Sequence, residues 1–441
     1  MFGDEEGVIV VHSEGKFKTD GMVAQLLSKV RIPKVCKVRQ QFDDVRCEAI
    51  EDEVREQLQR PGTLDRIRSG DSIAIAAGSR GVANIARIIR TIVDEVKGVG
   101  GNPFIVPAMG SHGGATAEGQ REILASLEIT EETMGCPIRA TMETLPIGMA
   151  GTGLPVYIDK VAYQADGIIV VNRIKPHTGF RGSYESGLLK MIAIGLGKQK
   201  GAELCHSRGM NFMEQSLVSI AKVAIEDGKI LFGLAMIENA YDQTRRITAI
   251  PAARILTEEP ELLMEAKKNM GAILIEEIDV LVVDEIGKNI SGDGMDPNIT
   301  GRFATPYAEG GMKQQRIVVL NLTEETHGNF NGLGMADFSV RRVWDQCDFE
   351  KTYPNTLTSG CTALQKIPLI LANDRLAIQA AIQTCDGTGR QNPRLVRIKN
   401  TLKLDEIYIS ENLLENVCGN PRMDILEKSQ EMIFDRNGNL F

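Results

Sequence analysis

The sequence lacks the features that mark several broad classes of protein. Its eight cysteines include no CxxC pair and no metal-finger spacing, so we predict reduced core residues. The net charge is -9 and no run of lysine or arginine occurs, which excludes a basic face for nucleic acid. No apolar run approaches the roughly 18 residues that a membrane span needs. The opening MFGDEEGVIV is acidic, whereas a signal peptide opens with basic residues. We expect a cytoplasmic protein with no nucleic-acid or membrane partner.

Common binding motifs are absent as well. The segment GLGKQKG lacks the spacing of a Walker loop and the Ser or Thr after its lysine, and the loop AAGSRGVAN is not GxGxxG. No HxxxH pair includes His206, so the usual zinc spacing is missing. The chain has 441 residues, of which 43% are hydrophobic, and it contains neither an internal repeat nor a low-complexity tract. This length is too great for one core, so we expect two globular domains.

Short apolar runs alternate with amphipathic stretches along the chain. SIAIAAG is an apolar run closed by glycine, and NIARIIRTIVDEVKGVGG then spaces its apolar residues as a helix does. This alternation predicts an α/β fold with largely parallel sheets flanked by helices. We expect one domain over residues 1–270, a second over 271–441, and a site in the cleft between them. Further strands are predicted at 102–110, 166–174, 229–237, 280–287, 316–323 and 367–374.

Three of the five histidines and one unusual lysine stand in two short glycine-marked segments. VPAMGSHGGAT carries His112, and residues 172–209 carry His177, Lys190 and His206. In α/β sheets the loops at the carboxyl ends of strands hold the ligands, and His112 and His177 each follow a predicted strand. The sequence therefore predicts an enzyme with its active site at this edge of the sheet.

Two more strand-end loops carry positive charge. Ser79 and Arg80 lie between a strand and a helix start, where backbone amides favour an anion. Arg80 adds a bidentate grip on a carboxylate or phosphate. Lys288 follows the predicted strand that ends near Ile286. A tight turn with a surface arginine accounts for the first loop equally well, so the anion site is one of two hypotheses.

The histidines and the lysine suit acid-base and covalent chemistry. Imidazoles with pKa values near neutrality at His112 and His177 can act on opposite faces of a substrate, as inversion of a stereocentre requires. Lys190 stands in the apolar segment GLLKMIAIG, where burying an ammonium is costly and a nucleophilic role is favoured. The alternatives are structural histidines in polar loops and a Lys190 ammonium that reaches solvent.

In this order and at nearly these separations, GSRG, AMGSHGGAT, KPH, SGLLK and ELCHSRG resemble the lactate racemase family, which uses a nickel-pincer nucleotide. The resemblance covers roughly residues 70 to 340. It implies that Lys190 bears the cofactor as a covalent thioamide and that His206, sixteen residues later, coordinates the nickel. Ser79 is expected beside the cofactor.

The same resemblance assigns the remaining site residues. His112 and His177 correspond to the acid/base pair, and Arg80 and Lys288 to groups that hold the substrate carboxylate. It implies a racemase or epimerase, an isomerase that inverts the alpha carbon of a 2-hydroxy acid by reversible hydride transfer to the lysine-bound cofactor. The first domain would then bind the cofactor and the second would face the substrate. The implied partners are the hydroxy acid and the proteins that synthesise the cofactor.

The chain also departs from the lactate enzymes. Where those carry Asp-His-Thr-Arg-Pro this chain has AAGSRG, and its loop from His177 to Lys190 is longer. We therefore expect a different or larger hydroxy acid, such as a sugar acid. Polar residues suited to extra hydroxyls, or to turns that brace the cleft, are Asp293, Asp296, Asn298 and His327.

Two other functions stay open at this point. One is a lysine-imine aldolase or lyase with Lys190 as the amine. The other is a noncatalytic homologue that binds a nucleotide.

Overall fold

The computed structural model describes residues 17–79 and 81–441. It has two lobes, each built on a sheet flanked by helices, so the predicted α/β class with largely parallel sheets is confirmed. We name the lobes by the number of strands in their main sheets. The small lobe contains the five-stranded sheet, and the large lobe contains the eight-stranded sheet. The strands are β1 Val35–Gln40, β2 Ser72–Ala77, β3 Asn102–Pro107, β4 Thr144–Met149, β5 Pro155–Asp159, β6 Gly167–Arg173, β7 Ile230–Glu238, β8 Thr244–Pro251, β9 Val280–Val283, β10 Arg316–Val319, β11 Phe338–Val340, β12 Leu369–Leu371, β13 Leu395–Ile398, β14 Glu406–Ser410 and β15 Met423–Ile425.

Helices cover the sheets and form the connections between strands. In the described residues α2–α10 belong to the small lobe, and α1 and α11–α15 to the large lobe. They are α1 Met22–Leu27, α2 Ile50–Leu58, α3 Ile85–Gly98, α4 Ala117–Ser126, α5 Glu131–Met134, α6 Lys160–Tyr163, α7 Leu188–Lys190, α8 Lys198–Ser207, α9 Met213–Glu226, α10 Ile255–Asn269, α11 Pro297–Thr300, α12 Arg341–Gln346, α13 Phe349–Ser359, α14 Asp374–Gln383 and α15 Leu414–Cys418.

The small lobe has the strand order β3-β2-β6-β7-β8, parallel throughout except for β8, which runs antiparallel to β7. Its central strands are apolar along most of their length because helices bury both faces. On β2, Ile73 and Ile75 pack on the side of α3, whereas Ala74 and Ala76 pack on the side of α7. The small alanine side chains let α7, which carries Lys190, lie close to the sheet.

The large lobe has the order β12-β11-β10-β9-β13-β14-β1-β15. The first five strands are parallel, and β14, β1 and β15 are joined by antiparallel pairing. Strand β1 pairs with β14 in a register that places Val35 opposite Ser410. The early strand β1 therefore belongs to the sheet that the last third of the chain builds.

The chain passes between the lobes twice in the described residues, after β1 and after α10. The two crossings lie side by side, because the buried Gln40 side chain donates to the carbonyl of Ala272 at 3.0 Å and accepts from the N–H of Leu274 at 2.7 Å. The same amide donates to the carbonyl of Leu404 at 2.7 Å. The division at residue 270 remains a prediction, and the second crossing lies next to it.

The predicted strands, and the helix that NIARIIRTIVDEVKGVGG predicts, are present, although most are shorter than predicted. The predicted strand at 367–374, for example, is reduced to Leu369–Leu371, because its last residues cap and begin α14. None of the helices in residues 17–79 and 81–441 combines the length and the apolar character that crossing a lipid bilayer requires.

Candidate active site

Three loops of the small lobe leave the carboxyl ends of β2, β3 and β6, which are neighbours in the sheet. The end of each strand, or the loop that follows it, lies against the segment that begins at Gly187. A methyl group on Gly78 would lie 2.9 Å from Cε of Met191, and the N–H of Gly110 donates to the carbonyl of Gly195 at 3.3 Å. The side chain of Asn172 donates to the carbonyl of Gly187 at 2.7 Å. The loops that carry Ser79, His112 and His177 therefore meet around the turn that carries Lys190.

The turn after β2 reaches the loop after β3 through one side-chain contact. Ser79 Oγ lies 2.5 Å from Nδ1 of His112, so the serine fixes the rotation of the imidazole whichever atom carries the proton. The imidazole is exposed. The neighbouring Arg80 lies outside the residues that the structure describes, so its expected role stays a prediction.

The His112 loop makes a backbone approach that only glycine allows. Gly113 has φ +67°, and a Cβ there would lie 2.5 Å from the carbonyl carbon of Gly119 at the start of α4. Gln120, one residue further, donates from Nε2 to the carbonyls of Gly110 at 3.0 Å and His112 at 3.3 Å. Glycine thus brings the loop against α4, and a buried glutamine holds it there.

The His177 imidazole is oriented by its own loop. The N–H of Gly179 donates to Nδ1 of His177 at 2.9 Å, and the ring lies 4.4 Å from the Phe180 ring, centroid to centroid. A backbone N–H can only donate, so Nδ1 is the acceptor and the neutral ring carries its proton on Nε2. His177 is therefore set to present an Nε2–H group.

Glu185 is the buried anchor of the same loop. Its side chain has no exposed surface, and its carboxylate accepts from the N–H of His177 at 2.7 Å. Lys267 of α10 places its ammonium 2.5 Å from the other carboxylate oxygen, and Arg181 lies 3.5 Å from the first. The Glu185 carboxylate therefore holds the His177 loop through several hydrogen bonds and ion pairs.

The loop between Lys175 and Gly182 also reaches the large lobe. Arg181 donates from its backbone N–H to the carbonyl of Tyr307 at 3.0 Å and from Nη2 to Oδ1 of Asn298 at 2.6 Å. Lys175 pairs with the buried Asp296 at 2.8 Å. Asp296 and Asn298, which the sequence suits either to substrate hydroxyls or to turns that brace the cleft, are thus engaged in joining the lobes.

Lys190 ends the short helix α7, and a π-helical turn over Met191–Gly195 follows it. At the start of α7 the carboxylate of Glu259 accepts from the N–H of Leu189 at 3.0 Å. Burial raises the pKa of Glu259 to about 7, and the N–H groups of Leu189 and Leu188 oppose that rise. An acidic side chain at the amino end of a helix is favoured by the helix dipole, so Glu259 fixes the direction of the turn.

His206 lies on α8, close enough to Lys190 for the charge of the lysine to affect the pKa of the imidazole. Burial, with a smaller contribution from the Lys190 ammonium, lowers the pKa of His206 to about 4, so the imidazole is neutral at pH 7. Its Nδ1 is buried and has no hydrogen-bond partner within the described part of the chain. A neutral imidazole with an unsatisfied nitrogen is a suitable metal ligand. Cys205 beside it is fully buried, and burial raises the pKa of its thiol to about 12.

Lys288 lies at the carboxyl end of β9, in the loop of the large lobe that continues to Asp296 and Asn298. Its ammonium donates to the carbonyl of Gly292 at 2.7 Å, and its N–H donates to Oγ1 of Thr326 at 3.1 Å. Asp296 and Asn298 of this loop contact the His177 loop, so Lys288 belongs to the segment of the large lobe that lies against the His177 loop. Its role in holding a carboxylate stays a prediction.

Within residues 17–79 and 81–441, no cluster of three or more His, Cys, Asp or Glu side chains is arranged to hold a metal ion. The sequence reasoning did not find Glu185 or Glu259, which orient the His177 loop and the Lys190 turn. Acidic residues are common, and nothing in the local sequence marks these two as buried.

Comparison with known proteins places this site in a family context. Residues 25–217 match the family model of the lactate racemase N-terminal domain. No curated protein matches the chain significantly. Among solved structures, that of the lactate racemase apoprotein from Thermoanaerobacterium thermosaccharolyticum has 16% identity and a TM-score of 0.45, with 76% of this chain and 83% of that chain covered. The segment matched by the family model contains His112, His177, Lys190 and His206.

Proposed function

Because residues 25–217 match the family model of the lactate racemase N-terminal domain, we propose that the chain is a homologue of the lactate racemases and acts as a 2-hydroxy acid racemase or epimerase. In this proposal a nickel-pincer nucleotide is bound covalently to Lys190 and its nickel is coordinated by His206. The observation that carries the proposal is the buried Nδ1 of His206, which has no hydrogen-bond partner within the described residues and lies near Lys190.

The residues present fit such a group. Lys190 projects from a turn that Glu259 orients, and the neutral imidazole of His206 offers a lone pair to a soft divalent metal. His206 supplies a single protein ligand, and the other ligands of the nickel belong to the cofactor. When bound, the cofactor supplies a hydride acceptor for the alpha hydrogen of the substrate.

The two histidines move the hydroxyl proton. The Nε2–H tautomer of His177 can give a proton to an oxygen atom of the substrate, while His112, held through Nδ1 by Ser79, can take the proton from a hydroxyl on the opposite side. Exchange of these roles accounts for reaction in both directions. Arg80 and Lys288 would hold the carboxylate, so that the planar keto acid can receive hydrogen on either face.

The substrate that we propose is a 2-hydroxy acid other than lactate, such as a sugar acid. The first loop lacks the aspartate of the lactate enzymes, and the longer loop after His177 is fixed to the large lobe by Arg181. We further propose that the protein acts in the cytoplasm and receives its cofactor from the proteins that synthesise it. All eight cysteines are free thiols, as a reducing compartment favours.

Intact-protein mass spectrometry with nickel analysis tests the proposal, on protein produced together with the cofactor-synthesis proteins. We expect an adduct that maps to Lys190 and about one nickel per chain. Lys190→Ala should lose adduct, nickel and activity, whereas Lys200→Ala, at an exposed lysine of α8, should keep all three. An active Lys190→Ala protein would overturn the assignment.

Substrate labelling then separates this reaction from its alternatives. Deuterium on the alpha carbon should stay in the racemised product, because a hydride returns to the carbon that it left. Exchange of the deuterium with water would instead indicate proton abstraction. An unmodified Lys190 that borohydride traps with a carbonyl substrate would indicate a lysine-imine enzyme.

A further inference from the structure

Lys198 is a lysine with no exposed surface in the interior of the small lobe. Its ammonium lies 2.9 Å from Oδ2 of Asp159 and donates to Oε1 of Gln120 at 3.1 Å and to the carbonyl of Pro107. The ammonium therefore has one anionic partner and two hydrogen-bond acceptors. Asp159 is also fully buried, and its other oxygen accepts from the N–H of Ala162 at 2.9 Å.

Stability alone does not account for this cluster. Burial lowers the pKa of Lys198, and the charge of Asp159 offsets the shift only in part. Buried ion pairs of this kind are often no more stabilising than apolar residues of the same size. Lys198 also has φ +54°, a left-handed conformation that a non-glycine residue seldom adopts. Such strain is retained where a fixed geometry is needed.

The cluster links two parts of the candidate active site. In the sequence Lys198 lies midway between Lys190 and His206, at the point where the π-helical turn ends and α8 begins. Gln120 accepts from Lys198 with one end of its amide and donates to the carbonyls of Gly110 and His112 with the other. One amide thus connects the cofactor-side segment with the His112 loop.

We propose that Gln120 and the Lys198–Asp159 pair are positioning residues, which hold His112 at a fixed place relative to Lys190 and His206. The inference rests on the proposed function, in which His112 exchanges a proton with a substrate bound beside the cofactor. Displacement of a reacting group by about 1 Å can reduce a rate by about a hundredfold. A rigid link between the two segments therefore acts on the rate of the chemical step.

Gln120→Met tests the link, because it removes both ends of the amide and leaves the ion pair in place. The matched control is Gln199→Met, since the Gln199 side chain is exposed and bonds only to Glu203 among the described residues. Hydrogen exchange of the cofactor-free protein should become about tenfold faster in the loop 110–115 of Gln120→Met, with residues 188–207 little changed. Gln199→Met should exchange as the wild type does.

The loaded enzyme gives a second readout. Gln120→Met should keep the Lys190 adduct and the KM of the wild type, while kcat falls about tenfold. Unchanged exchange in the loop, faster exchange over the whole lobe, or a kcat that falls only in proportion to the adduct would each overturn the proposal. If Gln120→Met does not fold, Gln120→Glu keeps the acceptor for Lys198, removes the donor and should loosen the same loop.

The exchange experiment is independent of the reaction. If the wild type carries no adduct, the proposed function fails, and the coupling of Gln120 to the His112 loop is still measured.

Discussion

The ammonium of Lys175 lies 2.8 Å from Oδ2 of Asp296, and this ion pair joins the two lobes two residues before His177. Burial opposes ionisation of Asp296, yet Lys175 and the N–H of Asn298 hold its pKa below the ordinary value. With the contact of Arg181 to Asn298, the pair makes the large lobe a support for the His177 loop. The position of an acid/base residue in one lobe therefore depends on contact with the other.

Asp296→Asn should weaken both stability and activity, because it leaves the partly buried Lys175 without its counter-charge. We expect a loss of about 3 kcal/mol in the free energy of urea unfolding and about a tenfold fall in kcat/KM. Glu226→Gln is the matched control, since it breaks the exposed Lys222–Glu226 pair and should change the unfolding free energy by less than about 0.5 kcal/mol. Equal losses in the two variants would contradict this prediction.

Glu259 gives a pH dependence of defined sign. Burial raises its pKa from 4.5 to about 7, so the folded protein holds this proton more tightly than the unfolded chain. The contribution is fully present below about pH 4.5 and is lost as the pH rises through about 7. The Glu259→Gln side chain does not titrate. The unfolding free energy of this variant minus that of wild type should therefore rise by up to about 3 kcal/mol as the pH increases from about 4.5 to above 7.

Urea unfolding at about pH 5 and about pH 8 measures the Glu259 effect. The matched control is Glu261→Gln, an exposed position on the same helix, for which the difference from wild type should change little with pH. Curves for Glu259→Gln and wild type that stay parallel over the range would show that the buried carboxyl does not titrate as described.

Ser79→Ala removes the hydroxyl that orients the His112 ring. Because no other part of the loop changes, we expect kcat to fall about tenfold while the mass of the Lys190 adduct and the nickel content stay those of wild type. Ser126→Ala, which removes an exposed hydroxyl bonded to the carbonyl of Ile123, serves as the control. A Ser79→Ala enzyme with full kcat would rule out the orienting role.

The His177 tautomer can be observed directly. In nitrogen NMR spectra of the cofactor-free protein, recorded at a pH at which the ring is neutral, Nδ1 of His177 should have the shift of an unprotonated nitrogen and Nε2 that of a protonated one. Comparison with His177→Gln assigns the signals. The opposite pattern would mean that Gly179 does not donate to the ring in solution.

The βα elements of the small lobe are predictable because parallel strands buried on both faces leave apolar runs, as in β2 and β6. Strand β1 was not predicted, since its partner β14 lies far along the chain and VCKVRQ alone gives no strong signal. Pairing over such distances is a property of the whole fold. The antiparallel strand β8 and the hairpin of β4 and β5 pair with neighbours along the chain, and they were missed because TRRITAIP, TLPIGM and PVYID contain no long apolar run.

The candidate site divides in the same way. The positions of Ser79, His112, His177 and Lys288 follow from the ends of predicted strands, and their chemical roles remain predictions. The contacts that orient them do not follow from the sequence, because Glu185, Glu259 and Lys198 are ionisable residues whose burial depends on the packing of distant elements. Charged residues are normally predicted to be exposed, so the sequence does not indicate that these three are buried.

The chain enters the small lobe after β1 and leaves it after α10, and Gln40 joins these two connections. The small lobe is therefore an insertion between β1 and the rest of the large-lobe sheet. Residues 42–269 can therefore leave the ribosome and fold before β9 to β15 are synthesised, while β1 remains unpaired until then. The bonds of Gln40 to Ala272 and Leu274 also hold the two connections against each other. A single proteolytic cut in either connection would leave the lobes attached.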